Sequence, residues 1–257
     1  MIKQSIRDDG IGVIVLDQPH KSNALSSELL KELQHTLHVF REHPSIHCII
    51  LTGSGEKAFC AGADLKERMN MTKEQVKEAV RLIKETISML DQMPQPTIAS
   101  INGAAFGGGL ELALACDIRI ASHHAKMGLT ETSLGIIPGA GGTQRLPRLI
   151  GISKAKELIF TARRIDAIEA LQIGLVNQIA KPEDLETMSL TIARKIAANA
   201  PIAVMEAKKA IDRGMETDLV HGLQIEEMCY QVTIPTKDRL EGLKAFKEKR
   251  KPVYTGE

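Results

Sequence analysis

Residues 97–117 constrain this chain more than any other stretch. Thr97-Ile98-Ala99-Ser100-Ile101 is an apolar, partly β-branched run that reads as a strand. Gly103, Gly107, Gly108 and Gly109 follow, and then Leu110-Glu111-Leu112-Ala113-Leu114-Ala115-Cys116, a run of helix formers that is apolar on nearly every side. A helix with no polar face belongs inside a core. Glu111 falls in its first turns, where a carboxylate is costly unless something pairs with it or uses it. Glycines where a strand turns into a helix leave the backbone bare. The N–H groups there sit at the positive end of the helix dipole and can face a ligand oxygen. The same residues also suit a plain strand–helix connection in which Glu111 only complements the dipole. The cluster matches neither the dinucleotide fingerprint nor the P-loop, so the glycines alone do not name a ligand.

Twenty residues past Glu111 stands Glu131, in Met127-Gly128-Leu129-Thr130-Glu131-Thr132. It adjoins a second glycine-rich loop, Gly135 to Arg145, which contains Pro138, Gly139, Gly141 and Gly142. Two carboxylates in apolar settings beside bare backbone suggest acid–base work on a carbonyl compound.

Composition excludes several other classes. A formal charge of +1 over 257 residues gives no surface for general polyanion binding. The cysteines Cys48, Cys60, Cys116 and Cys229 have no C-x-x-C spacing and lie among apolar residues, so they read as reduced core thiols. The eight histidines are scattered and form no metal motif. The chain opens directly into a strand pattern at residues 11–16, and no long apolar span follows. The expected compartment is the cytoplasm of a prokaryote; a processed organelle protein would look the same.

Strand signals at residues 11–16, 47–51, 97–101 and 118–121 alternate with helical patterns at 27–41, 73–92 and 108–116, which is α/β order. Ser26 or Ser27 suits the first helix as N-cap. The second half reads as helices at 153–161, 167–173, 182–198, 202–213, 216–230 and 237–249. Gly174, Gly214 and Gly222 are read as its punctuation, and Pro201 as a helix start.

Three segments, Phe59-Cys60-Ala61-Gly62-Ala63-Asp64-Leu65 and those around Glu111 and Glu131, resemble in order the signatures of the enoyl-CoA hydratase (crotonase) superfamily. The resemblance runs from Asn23-Ala24-Leu25 to the C-terminus and is nearest to methylglutaconyl-CoA hydratases, whose tail residues 214–243 are similar to. It implies an α/β, crotonase-like spiral of β-β-α units over residues 1–195. A helical region at 196–257 would then assemble the chain as a trimer or a dimer of trimers.

It implies hydration of an enoyl-CoA thioester, with no metal and no cofactor besides the CoA carried by the substrate. In that reading the backbone N–H groups of Ala63 and Gly108 form an oxyanion hole. Glu111 mainly activates water and Glu131 mainly delivers a proton to Cα. Lys21, Ala24, Lys57, Ala61, Asp64, Leu65, Gly107, Pro138 and Gly139 are implied to line the substrate and CoA channel. Phe246 and Lys249 of a neighbouring subunit would meet the nucleotide end. For Asp64 taken alone, helix capping is the simpler role. Superfamily members with altered carboxylates run isomerase or decarboxylase chemistry; both glutamates here favour hydration. An RNA-binding relative uses a row of helix lysines. This chain offers Ser27, Lys31 and His35 there, one cation in all, which argues against a nucleic-acid partner.

Overall fold

Alternating apolar strands and helices fold as two stacked sheets wrapped by helices in a computed structural model that describes residues 1–257. In chain order the elements are β1 (Ile2–Ile6), β2 (Ile11–Leu16), α1 (Ser27–Glu42), β3 (Cys48–Gly53), β4 (Ala58–Cys60), α2 (Leu65–Arg68) and α3 (Lys73–Asp91). Then come β5 (Thr97–Ile101), β6 (Ala104–Phe106), α4 (Gly108–Leu114), β7 (Ile118–Ser122), β8 (Lys126–Gly128), α5 (Gly142–Ile150) and α6 (Ile152–Phe160). The remainder is β9 (Ile165–Asp166), α7 (Ala167–Gln172), β10 (Gln178–Ala180), α8 (Leu185–Ala197), α9 (Pro201–Gly214), α10 (Leu219–Thr233) and α11 (Lys237–Glu248).

The larger sheet has the order β1-β2-β3-β5-β7-β10, and the smaller β4-β6-β8-β9. From β2 to β10 the larger sheet is parallel; only β1 runs against it. Each of the pairs β3–β4, β5–β6 and β7–β8 puts one strand in the larger sheet and the next in the smaller. That is the spiral of β-β-α units. Strand β5 is buried along its whole length, as a parallel strand covered on both faces should be.

One face of the larger sheet packs Ile14, Ile49, Leu51, Ala99 and Ile101 into a core shared with α1, α3 and α4. Ile11, Cys48, Ile50, Ile98 and Ile120 point the other way and are covered by Leu185 and Ala193 of α8. Helix α1 starts where Ser26 accepts a hydrogen bond from Leu29 N at 3.3 Å. It buries Leu29, Leu30, Leu33, Leu37 and Phe40, an i, i+3/i+4 stripe. Each such side chain contributes roughly 1.5–3 kcal/mol against about 1 kcal/mol for the cap, so packing decides that this helix forms and the cap decides where it starts.

Three expectations need correcting. Helix α10 begins at Leu219 rather than near 216, because Asp218 accepts from the N–H groups of Val220 and His221 and fixes the start. Gly222 does not break a helix. It lies inside α10, and a Cβ there would sit 3.6 Å from Gly214 Cα, so the two glycines let α9 and α10 cross closely. The segment after Gly141, read as loop, becomes α5. All four cysteines are free and buried, as read, and burial pushes the thiols of Cys48, Cys60 and Cys116 up to about 12. No helix is long and apolar enough to cross a membrane.

Candidate active site

The turn from β6 into α4 is built on Gly107. Its φ of 52° and ψ of −125° lie where a side chain is strongly disfavoured, and its N–H donates to Gly128 O on β8 at 2.9 Å. A Cβ on Gly107 would stand 3.0 Å from Glu131 Oε1, so the glycine also makes room for that carboxylate. Gly108, the first residue of α4, has no intrahelical acceptor for its N–H. Ala63, in the loop between β4 and α2, likewise donates its N–H to nothing in the chain. The two groups are neighbours: a Cβ on Gly62 would lie 3.2 Å from Gly108 N, and one on Gly108 would lie 3.8 Å from Ala63 N. Two free N–H groups facing one space can stabilise an oxyanion.

Glu111 is 3% exposed on α4. Its Oε1 accepts from Ala140 N and Gly142 N, both at 2.8 Å. Gly142 is glycine for lack of space, since a Cβ there would be 3.0 Å from that same oxygen. Burial raises the Glu111 pKa, while the two N–H donors and the charges of Arg145 and Arg68 oppose the rise. Glu131, 9% exposed at the start of a 3₁₀ turn after β8, is held differently. Its buried Oε2 has no hydrogen-bond partner. Burial, reinforced by the charge of Glu111, pushes its pKa up to about 7 against the smaller effects of its own N–H and Arg68. The two carboxylates therefore differ: one has an oxygen pinned by two donors, the other has a bare oxygen and a pKa that burial raises to about 7.

The channel residues divide. Asp64 caps α2, accepting from Lys66 N and Glu67 N at 3.1 and 3.2 Å, and Lys21 Nζ approaches it at 4.0 Å. Ala61 and Leu65 are exposed beside Gly62 and Ala63, and Ala24 is buried under the same loop. Lys57, with Pro19, Ser22, Asn23 and Ser54, lines a groove of about 390 Å³. Pro138 is buried against Gly142, whereas Gly139 is exposed. Phe246 is 86% exposed on α11, and Lys249 is the left-handed residue that ends that helix. No group of His, Cys, Asp or Glu is arranged to hold a metal ion.

Three contributors to the site escaped the sequence reading. The N–H groups of Ala140 and Gly142 hold Glu111, although only the glycine-rich character of their segment was legible. Arg145 places its charge near Glu111 while bonded to Asp91 Oδ1 and Ala140 O, both at 3.0 Å. Arg68 ends α2, and the charges of Glu111 and Glu131 reach it. Its signal was its position four residues after a capping Asp64, one helical turn past the loop that bears Ala63.

The same architecture recurs in known proteins. The YngF protein of Bacillus subtilis is 57% identical over 98% of this chain and 97% of its own length. The mitochondrial methylglutaconyl-CoA hydratase of Homo sapiens is 50% identical, with 96% of this chain and 74% of the human one covered. The crystal structure of an enoyl-CoA hydratase from Bacillus anthracis superposes with a TM-score of 0.98 at 56% identity, covering 100% of this chain and 99% of that one. The family model described as enoyl-CoA hydratase/isomerase matches residues 7–257. Two sheets fed alternately by one spiral, a pair of free N–H groups and two buried glutamates thus stand in a chain that belongs to the enoyl-CoA hydratase/isomerase family.

Proposed function

We propose that the protein hydrates the 2,3-double bond of an enoyl-CoA thioester to give a 3-hydroxyacyl-CoA, with 3-methylglutaconyl-CoA as its preferred substrate. The observation that carries the hydration is the unequal pair of buried carboxylates, Glu111 with one oxygen pinned and Glu131 raised to about 7. The thioester oxygen lies against the N–H groups of Ala63 and Gly108, which take up the charge as the enolate forms. Glu111, as carboxylate, accepts a proton from a water and directs it at Cβ. Glu131 gives its proton to Cα, and the proton taken from water restores the pair, which titrates as a unit. The 50% identity to human methylglutaconyl-CoA hydratase over 252 aligned residues supports the choice of acyl group. The CoA moiety runs along the groove bearing Lys57, past Lys21, and no further cofactor enters the reaction.

Loss of the conjugated-enoyl absorbance in buffer, with no other reagent, tests this reading. The expected result is hydration of both crotonyl-CoA and 3-methylglutaconyl-CoA, with the higher kcat/KM for the second. Isomerised or decarboxylated product in place of the 3-hydroxyacyl-CoA would overturn it.

The same proposal divides the chain into a catalytic core over residues 1–195 and a helical assembly region over 196–257, the last turn of α8 straddling the boundary. Leu219, Leu223, Tyr230, Leu240, Leu243 and Phe246 on α10 and α11 are more than half exposed. That much bare apolar surface on consecutive helices favours a closed symmetric ring. Light scattering at micromolar concentration is expected to give three or six times the 28.1 kDa chain mass. A monomer mass would refute the assembly, and with it the roles of Phe246 and Lys249 across a subunit boundary.

A further inference from the structure

Helix α2 places a cation at the active site that the hydration chemistry does not use. Asp64 caps the helix, and Arg68 N closes its single turn on Asp64 O at 3.1 Å. Arg68 thus stands one turn downstream of the Ala63 N–H. Its guanidinium is partly buried and bonds to no acceptor in the chain. The nearby acid on its own helix is already engaged: Glu67 Oε1 accepts from Ser27 Oγ at 2.7 Å, and Oε2 from Ser27 N at 3.2 Å. The other arginine beside the carboxylates, Arg145, is neutralised by Asp91. Burial works against the charge of Arg68, while Glu67, Glu111 and Glu131 favour it, so its head lies within the field of both active-site carboxylates.

A planar guanidinium with all its side-chain donors free is matched to a carboxylate, which it can bind through two parallel hydrogen bonds. The chemistry of the substrate says where such a carboxylate would fall. In a glutaconyl-type thioester the distal carboxylate carbon is two bonds beyond the Cβ that takes the water. That group must therefore lie close to the two glutamates. Bringing a further anion into a buried space that already holds the Glu111 carboxylate and the Glu131 carboxyl is unfavourable unless a cation offsets it.

We propose that Arg68 is the specificity-determining residue that receives the distal carboxylate of the acyl chain. The inference rests on the hydratase reading above and deepens it. An enoyl chain ending in methyl leaves Arg68 unpaired, and one ending in carboxylate completes its hydrogen bonds.

The test is kcat/KM for crotonyl-CoA and 3-methylglutaconyl-CoA in the wild type, Arg68→Met and Arg68→Lys, with circular dichroism to confirm the fold. Removing the cation also lifts both glutamate pKa values, but that effect is common to the two substrates and divides out of their ratio. Arg68→Met is expected to lower kcat/KM for the carboxylated substrate about a hundredfold more than for crotonyl-CoA, the usual cost of stripping one partner from a desolvated charge pair. Arg68→Lys, which keeps the charge and loses the fork, should fall between. A substrate ratio unchanged in both variants overturns the proposal. If Arg68→Met does not fold, the Arg68→Lys ratio alone decides. A wild type that hydrates crotonyl-CoA and ignores the carboxylated thioester also overturns it, while leaving the hydratase reading intact. Hydration of neither substrate is the separate failure of that reading.

Discussion

Glu131→Gln lowers kcat for enoyl-CoA hydration at least about a hundredfold, the low end of what a positioned general acid contributes. The amide keeps the shape and cannot give a proton to Cα. Burial raises the Glu131 pKa to about 7, so the wild-type rate should fall as pH rises through that value and the acid is lost. The limb should be missing from whatever rate the variant retains. Wild-type stability moves in the same direction. A carboxyl whose folded pKa exceeds its unfolded value binds more protons folded than unfolded between the two values, so stability falls with rising pH in that window. Below about 4.5 both states are protonated and no penalty exists; above about 7 the penalty is complete and amounts to about 3 kcal/mol. Glutamine carries no such penalty. Tm of Glu131→Gln relative to wild type should therefore climb between pH 5 and pH 8, by whatever part of that figure survives relaxation. Near-full kcat in the folded variant would remove Glu131 from the mechanism. A flat Tm difference would mean its carboxyl is not held neutral.

Gly108→Val should cost at least about a thousandfold in kcat at every pH, since it strikes both oxyanion donors and one alone is worth about a hundred- to a thousandfold. The first added carbon would stand 3.2 Å from Leu25 Cδ1, the yielding end of a side chain, so the fold can absorb it. That same carbon would lie 3.7 Å from Gly62 Cα and 3.8 Å from Ala63 N, so the branch methyls enter the space between the two N–H groups that the proposed oxyanion contact needs. Loss of an acid or base shifts a pH–rate profile; loss of the oxyanion hole lowers it uniformly. A pH–rate profile of the variant, with circular dichroism to confirm the fold, distinguishes the two. Normal hydration at any pH would put the oxyanion contact elsewhere.

Much of the candidate site was legible before any coordinates. Glu111 stood out as a carboxylate between leucines in an all-apolar helix, beside the simpler reading that it only complements the dipole, and the structure buries it to 3% exposure. Gly107 and Gly108 were legible as bare backbone at a strand-to-helix turn, and only the family resemblance assigned Gly108 to an oxyanion hole. Four of the larger sheet's six strands could be read because β2, β3, β5 and β7 are apolar runs of five or six residues, whereas the exposed edge strand β1 and the three-residue β10 were missed.

The smaller sheet could not. Its strands β4, β6, β8 and β9 are two or three residues long, too short for any period, and they exist because the spiral brings them side by side. Helix α5 was hidden by its Gly-Gly start and its internal Pro147. What the sequence determined by itself is local: which runs are apolar, where Ser26 and Pro201 start helices, and which carboxylates stand in costly surroundings. Only the tertiary structure decided that Ala140 and Gly142 donate to Glu111 across 29 and 31 residues, that Glu131 Oε2 is left bare, and that Arg68 shares their field. Desolvation and charge coupling depend on distances between segments far apart in the chain, and no pattern along the chain encodes those distances.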